Sequence, residues 1–408
     1  MNVSLFPKTL KGKLSVPTSK SLAHRAIICA SLAQNTSVIS NVSFSKDIEA
    51  TIQSMRALGA DIQVDGSTCT ITGITQWQSC TCPCHESGST LRFILPIAAS
   101  QNIDCCFQGR PSLFSRPMDV YESIFKKQNL PFIQKEDSIQ IHGSLQADEF
   151  IVPGNISSQF ISGLLFCCPM LQKESIIRIT PPFESRSYVD LTLDMLRQFQ
   201  IIVHQIDDYT FSIPPCQVYQ SHDCTIEGDY SQMAFFAVAG AIRNHIEIDN
   251  MRWDSLQGDR KILDWLAYEK QESSLLFQPQ PLLAQTFDLA DCPDLGPILC
   301  VLAAYSSGTS HLIHAERLRY KECDRIAAME EELKKWGVAI ESDEDSIIIH
   351  GRSHYSKDSM VIMDSHNDHR IAMACAIFAV CADSPSILEN GEAVNKSYPN
   401  FFNDMDSL

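Results

Sequence analysis

The stretch Leu333–Gly351 reads LKKWGVAIESDEDSIIIHG: the end of a helix, a short alternating run, a polar turn, and a second alternating run. Alternation with period two on either side of a polar turn predicts a strand pair. The same order recurs at Met55–Gly73, MRALGADIQVDGSTCTITG, and at Phe125–Gly143, FKKQNLPFIQKEDSIQIHG, with weaker copies starting near Leu196 and Leu263. The starts are spaced by roughly seventy residues, which marks a repeated supersecondary unit.

Working outward, a second element keeps the same period. Nearly all-apolar segments begin near Ser21, Thr90, Ser158, Ser231, Asp294 and Asp368. Segments apolar on every side predict buried helices. Each is followed by a β-rich piece, such as Ser37–Ile39, Asp104–Phe107, Ile176–Ile179 or Ile246–Ile248. The chain therefore reads as an α/β protein of six units, each a strand, helix, strand, helix and strand pair. A chain of 408 residues exceeds one ordinary core, so three units per domain and two similar domains are expected. The sixth unit lacks a closing strand pair after Ala382, and Asn2–Val16 has the strand character to supply it. That places one domain at 19–227 and the other at 1–18 plus 228–408.

Hydrophobic residues at 44% and charged residues at 20% exclude a disordered chain. No apolar run reaches transmembrane length, and the N-terminus has neither signal nor transit character. A cytoplasmic protein is expected. The net charge of −17 argues against a nucleic-acid binder, but it leaves room for a small anionic substrate where Lys and Arg gather. The cysteines are scattered through apolar runs (Cys29, Cys167, Cys168, Cys300, Cys375, Cys381), where a thiol behaves as a small hydrophobe. The exception is Cys80, Cys82, Cys84 and His85. Its alternating spacing is not that of a zinc finger, and no second Cys or His pair lies at a matching distance. The cluster reads as a thiol-rich strand end, and no metal is expected.

The apolar helices open with capping residues: Thr18-Ser19-Lys20-Ser21, Ser87-Gly88-Ser89-Thr90, Ser157-Ser158-Gln159, Gly228-Asp229-Tyr230-Ser231, Pro293-Asp294 and Asn367-Asp368. Several carry a cation close behind: Lys20 and Arg25, Arg92, Arg370. Free N–H groups and the helix dipole favour anions at such ends, and a cation in a buried helix is costly unless it meets one. Further cations stand at Arg110, Arg116, Arg319, Lys321, Arg325 and Lys396. A helix through KECDR would put Lys321 and Arg325 on one face beside Glu322 and Asp324. Salt-bridged surface charge is the plain alternative there.

The segments VPTSKSLAHRA, ESGSTLR, GRPSLFSRP, SSQFISGLL, RLRYKECDRIAAMEEEL, NDHRIAMA and VNKSYPNFF resemble, in order and spacing, the signatures of the 5-enolpyruvylshikimate-3-phosphate synthases. The resemblance runs from Leu14 to Phe402. It implies two domains of three βαβαββ units each, in an inside-out α/β barrel arrangement. It also implies transfer of the enolpyruvyl group of phosphoenolpyruvate to shikimate 3-phosphate in aromatic amino acid biosynthesis, by a monomer without metal or cofactor. Carried over by position, Lys20, Ser21 and Arg25 form the first substrate loop. Ser157, Ser158, Gln159, Ser185, Tyr188, Asp294 and Lys321 join them at shikimate 3-phosphate, so 19–227 is the shikimate-phosphate side. Gly88, Arg116, Arg325, Arg370 and Lys396, with Lys20 and Gln159, hold phosphoenolpyruvate. Asp294 and Glu322, with Lys20 and His369, move protons, Glu322 to the enol methylene and Asp294 from the attacking hydroxyl. Because these residues come from both halves, substrates are expected to draw the domains together.

Four positions depart from the pattern: Glu86, Ser89, Phe93 and Arg317. They bear on inhibitor response more than on the reaction. The related transferase acting on UDP-N-acetylglucosamine uses a loop cysteine, and GRPSLFSRP has none. A non-catalytic ring around nucleic acid would need a basic lining, which the acidity of the chain disfavours.

Overall fold

A computed structural model describes residues 1–271 and 274–408. The chain forms two compact units, Thr18–Ile226 and Met1–Pro17 with Glu227–Leu408. Each has its own hydrophobic core.

The repeat takes its shape from local signals. Helix Lys46–Leu58 starts at Ser45, whose side chain accepts from the Ile48 amide, and carries Asp47 and Glu49 in its first turn, where the dipole favours acids. Gly59, at φ 119°, ends it, because a left-handed residue without Cβ closes a helix cheaply. Strands Asp61–Asp65 and Thr68–Thr72 follow, with Ile62 opposite Ile71 on the buried face. Leu333–Gly351 repeats this: helix Arg325–Lys335 ends, Gly337 adopts φ 77°, and Ile340 pairs with Ile349 across the hairpin.

The first unit holds three four-stranded sheets and the apolar helices Lys20–Leu32, Gly88–Ala99 and Ser158–Cys167. In one sheet Cys80–His85 runs parallel to Cys105–Gly109 across the Gly88–Ala99 helix, and the hairpin Phe132–Gln134 and Ser138–Ile141 completes it. The second unit is built alike around Tyr230–Arg243, Gly296–Tyr305 and His369–Cys381. Every residue of Gly296–Tyr305 is buried; full burial of a Leu, Ile or Val is worth about 1.5–3 kcal/mol, so such helices anchor their unit.

Two details differ from the sequence reading. Of the N-terminal stretch, only Val3–Leu5 completes the sixth sheet, antiparallel to Ser386–Glu389. Pro7 has no N–H for a ladder, and beyond it Lys11–Ser15 pairs in parallel with His245–Asp249 in the fourth sheet. The matching position beside Thr36–Ser40 goes to Cys224–Thr225. The first strands of these two units have thus exchanged sheets. Among the described residues no helix is long and apolar enough to cross a membrane.

Candidate active site

In the unit Thr18–Ile226 the candidates gather around helix starts. Ser19 caps the Lys20 helix and Ser87 the Gly88 helix, each side chain accepting from the amide three residues on, while Ser157 accepts from the Gln159 amide. Asp47 joins two of these starts: its carboxylate meets Lys20 Nζ at 2.8 Å and its carbonyl accepts from Thr90 Oγ1 at 3.4 Å. The third is joined through Gln159, which accepts from Arg92 Nη1 at 2.9 Å and donates to Ser89 Oγ at 3.0 Å. A Cβ on Gly88 would lie 3.3 Å from both Arg116 Nη1 and Gln159 Oε1. Glycine there keeps a helix start open to a ligand beside two cations and an amide.

Arg25 is 2% exposed. It donates to Thr192 Oγ1 at 2.8 Å, to the Ser21 carbonyl at 2.6 Å and to the Tyr188 carbonyl at 2.8 Å, and it stands over the Phe93 ring. These oxygens are uncharged, so burial without a counter-charge pulls its pKa down to about 10. Arg25 thereby ties the Lys20 helix to the start of helix Arg186–Gln198, where Ser185 sits in the left-handed region at φ 52°. Of the sequence candidates, this bond set joins Ser21, Arg25 and Tyr188, with Lys20 and Ser185 beside them at the two helix starts. Gly88, Arg116 and Gln159 meet around the Gly88 helix start, and Ser157 caps the helix that carries Ser158 and Gln159.

The unit Met1–Pro17 with Glu227–Leu408 holds the rest. Asp294 lies in a short 3-10 turn, Pro293–Leu295, before the Gly296 helix. Its carboxylate meets Arg325 Nη1 at 3.1 Å, Lys321 Nζ at 3.5 Å and Arg370 Nη2 at 2.9 Å. Burial acts to raise its pKa, but Arg370, Lys321 and Arg325 outweigh it and hold the carboxyl well below its usual range. Arg325 is 1% exposed and also meets Glu322 at 2.7 Å and Asp368 at 2.8 Å. Burial would lower it, yet Asp368, Glu322 and Asp294 raise it above the ordinary guanidinium value. Burial lowers the Lys321 ammonium, and Arg325 and Arg317 act the same way against the pull of Asp294 and Glu322. Lys396 Nζ donates to the Asn367 carbonyl at 2.6 Å. His369, the first residue of its helix, is 2% exposed, with Nδ1 4.0 Å from Asp368.

The expected helix through KECDR is not formed. Lys321 is extended, at φ −89° and ψ −151°, and the helix begins only at Arg325. Asp324 accepts from the Ile326 and Ala327 amides, and a residue in that capping role cannot also be helical. Lys321 and Arg325 meet instead on Asp294, in a buried network rather than on a charged surface.

Three carboxylates organise these clusters: Asp47 and Glu332, which the sequence reading passed over, and Asp368, which it read only as a helix cap. Asp368 carries a visible signal, since it caps the His369 helix, accepting from the Arg370 and Ile371 amides. Glu332, fully buried, has none, because EEEL on a helix looks solvated. It accepts from Lys335 at 2.8 Å, from His366 Nε2 at 2.8 Å and from the Asp364 amide at 3.1 Å. It thereby fixes a turn in which His366 and Asn367 both take left-handed φ, 50° and 54°, a conformation that non-glycine residues hold only when their surroundings enforce it. Arg317, a departure from the family pattern, donates to the Ala290 carbonyl at 2.6 Å.

The EPSP synthase family, described as 3-phosphoshikimate 1-carboxyvinyltransferase, matches residues 6–405. Relatives of that name from Clostridium novyi and Clostridioides difficile are each 42% identical, over all of this chain and 97% of theirs. Among solved structures, EPSP synthase from Acinetobacter baumannii superposes with a TM-score of 0.81 at 24% identity, covering 100% of this chain and 98% of that one. The enolpyruvyl transferase NikO from Streptomyces tendae gives 0.79 at 15% identity, covering 100% and 96%. At those identities the two structures speak for the fold alone, and it is the sequence matches, over the full length of both partners, that place this chain in the EPSP synthase family.

Proposed function

We propose that the chain moves the enolpyruvyl group of phosphoenolpyruvate onto the 5-hydroxyl of shikimate 3-phosphate, releasing phosphate, as a cytoplasmic monomer of aromatic amino acid biosynthesis. The reaction joins two anions, forms one carbon–oxygen bond and breaks another. The acceptor hydroxyl must lose a proton, and the enol methylene must gain one on addition and lose one on elimination.

The first cluster suits the anions. Lys20, Ser21, Arg25, Ser157, Ser158, Gln159, Ser185 and Tyr188 hold shikimate 3-phosphate, and Gly88 and Arg116, with Lys20 and Gln159, hold phosphoenolpyruvate. The second suits the protons. Asp294 contacts the acceptor with Lys321 and takes the hydroxyl proton; Glu322 delivers one to the methylene, with His369 beside the reacting groups; Arg325, Arg370 and Lys396 bind the donor and stabilise the departing phosphate. The observation that carries the reading is Asp294. Three cations keep it ionised at neutral pH, as a base must be, while the acid Glu322 stands on the same Arg325.

Phosphate release from phosphoenolpyruvate tests the acceptor. Release with shikimate 3-phosphate and none with UDP-N-acetylglucosamine is expected. The opposite pattern would move the chain to the sister activity, which is not favoured.

A further inference from the structure

The strands Cys80–His85 and Cys105–Gly109 carry five cysteines, Cys80, Cys82, Cys84, Cys105 and Cys106. They pair in parallel with Cys80 opposite Cys105. Side chains two apart on a strand, and side chains directly opposite, share a face of the sheet. Cys80, Cys82 and Cys105 therefore converge on the face toward helix Lys46–Leu58, where Cys82 Sγ reaches the Ser54 carbonyl at 3.9 Å. Cys82 Sγ is 3.5 Å from Cys105 Sγ and 3.8 Å from Cys80 Sγ, and all three sulfurs lie within 4.8 Å of one another. Along the chain Cys80-x-Cys82 has no partner at metal spacing; strand pairing supplies one, while Cys84 turns its thiol to the Cys82 carbonyl.

These separations have a chemical meaning. Thiolates bound to one ion at about 2.3 Å lie about 3.8 Å apart in a tetrahedron and about 4.0 Å apart in a trigonal plane. There is also a way in. Cys80 is half-buried and lines a cleft of about 390 Å³ together with Cys105, Cys106, Asp104 and His142. The trio lies toward the start of its strand, away from the end that leads into Gly88, so it belongs to neither substrate cluster.

We propose that Cys80, Cys82 and Cys105 bind one soft, closed-shell metal ion of the zinc(II) or copper(I) type. A three-coordinate ion needs only the thiolates; a four-coordinate one takes its last ligand from water in the cleft. Binding replaces thiol protons, up to one per sulfur, so affinity rises with pH. The ion links the two strands that flank the Gly88–Ala99 helix and stabilises this unit by mass action.

The test is an anaerobic titration of the full-length reduced protein with cadmium(II), read by cadmium–thiolate absorption and by native mass. One equivalent should bind and raise the melting temperature. Cys80→Ser and Cys105→Ser should each weaken binding by more than the roughly 10–100-fold that follows loss of a merely supporting group. Cys216→Ser, at an exposed thiol, should change nothing. Competition by zinc(II) alone assigns the four-coordinate ion, and displacement by copper(I) the three-coordinate one. Cys82 is fully buried and its variant could misfold, so the half-buried Cys80 decides. No stoichiometric absorption, or absorption unchanged in both Cys80→Ser and Cys105→Ser, overturns the proposal.

Discussion

Arg116 and Arg325 carry the same charge in opposite surroundings. Arg325 is ringed by the carboxylates of Asp294, Glu322 and Asp368. Among the described residues Arg116 has no carboxylate partner, and its buried Nε has no hydrogen-bond acceptor. Arg25, in the same unit as Arg116, donates only to uncharged oxygens. In the first cluster Lys20 pairs with Asp47 while Arg25 and Arg116 carry charge that no carboxylate among the described residues offsets, whereas Arg325 is offset by three acids of its own cluster. An unbalanced cluster is a receptor, since the ligand supplies the missing charge. A balanced one sets, through its neighbouring charges, the protonation state in which its acids and bases meet the substrates.

One substitution made in both places should break the symmetry most visibly. Arg325→Met leaves three acids facing one another around an apolar stem, and loss of one partner from a buried ion network costs about 3–5 kcal/mol. The melting temperature should fall steeply. Arg116→Met removes no ion pair, so the melting temperature should hold. Affinity for phosphoenolpyruvate should instead drop by about tenfold or more, since a charge-assisted hydrogen bond is worth about 1.5–3 kcal/mol. Equal melting temperatures for the two variants would show that the clusters do not differ in the way described.

The smallest effect concerns the turn that carries Asn367, Asp368, His369 and Arg370. His366 faces Glu332, with Glu331, Asp364 and Lys335 around the same carboxylate. Its hydrogen bond to Glu332 raises its pKa above 6.5, against the opposing effect of burial. A raised folded-state pKa gives stability that is fully present below the unfolded value of about 6.5 and is lost as pH rises through the folded value. Melting temperature should therefore decline slightly above neutrality, and His366→Gln should flatten that decline. A decline of the same size in both proteins would assign it to other groups.

How much of this was legible beforehand follows from the range of each signal. The hairpin at Leu333–Gly351 and the all-apolar helices announce themselves within a dozen residues, because patterning and caps are local. The exchange of Lys11–Ser15 and Cys224–Thr225 between sheets was not, since alternation marks a strand without naming its neighbour. The same limit separated Cys80 and Cys82 from Cys105, and left Glu332 looking like a solvated helix charge. The KECDR segment failed differently: a real i, i+4 spacing was read as helix, but Asp324 spends its side chain on a cap. The cations at helix starts were readable as chemistry. Which of them the protein neutralises was a question of tertiary partners.

The claim that the balanced cluster is an acid–base device rests most directly on Glu322, which touches Arg325 at 2.7 Å and is 17% exposed. Glu322→Gln keeps the shape and removes the acid. If Glu322 protonates the enol methylene, single-turnover enolpyruvyl transfer should slow by about 10²–10⁴-fold, with shikimate 3-phosphate affinity nearly unchanged. A rate near that of the unaltered protein, with only a lowered melting temperature, would mean that Glu322 serves Arg325 as a counter-ion, and the assignment of proton transfer to this cluster would be contradicted.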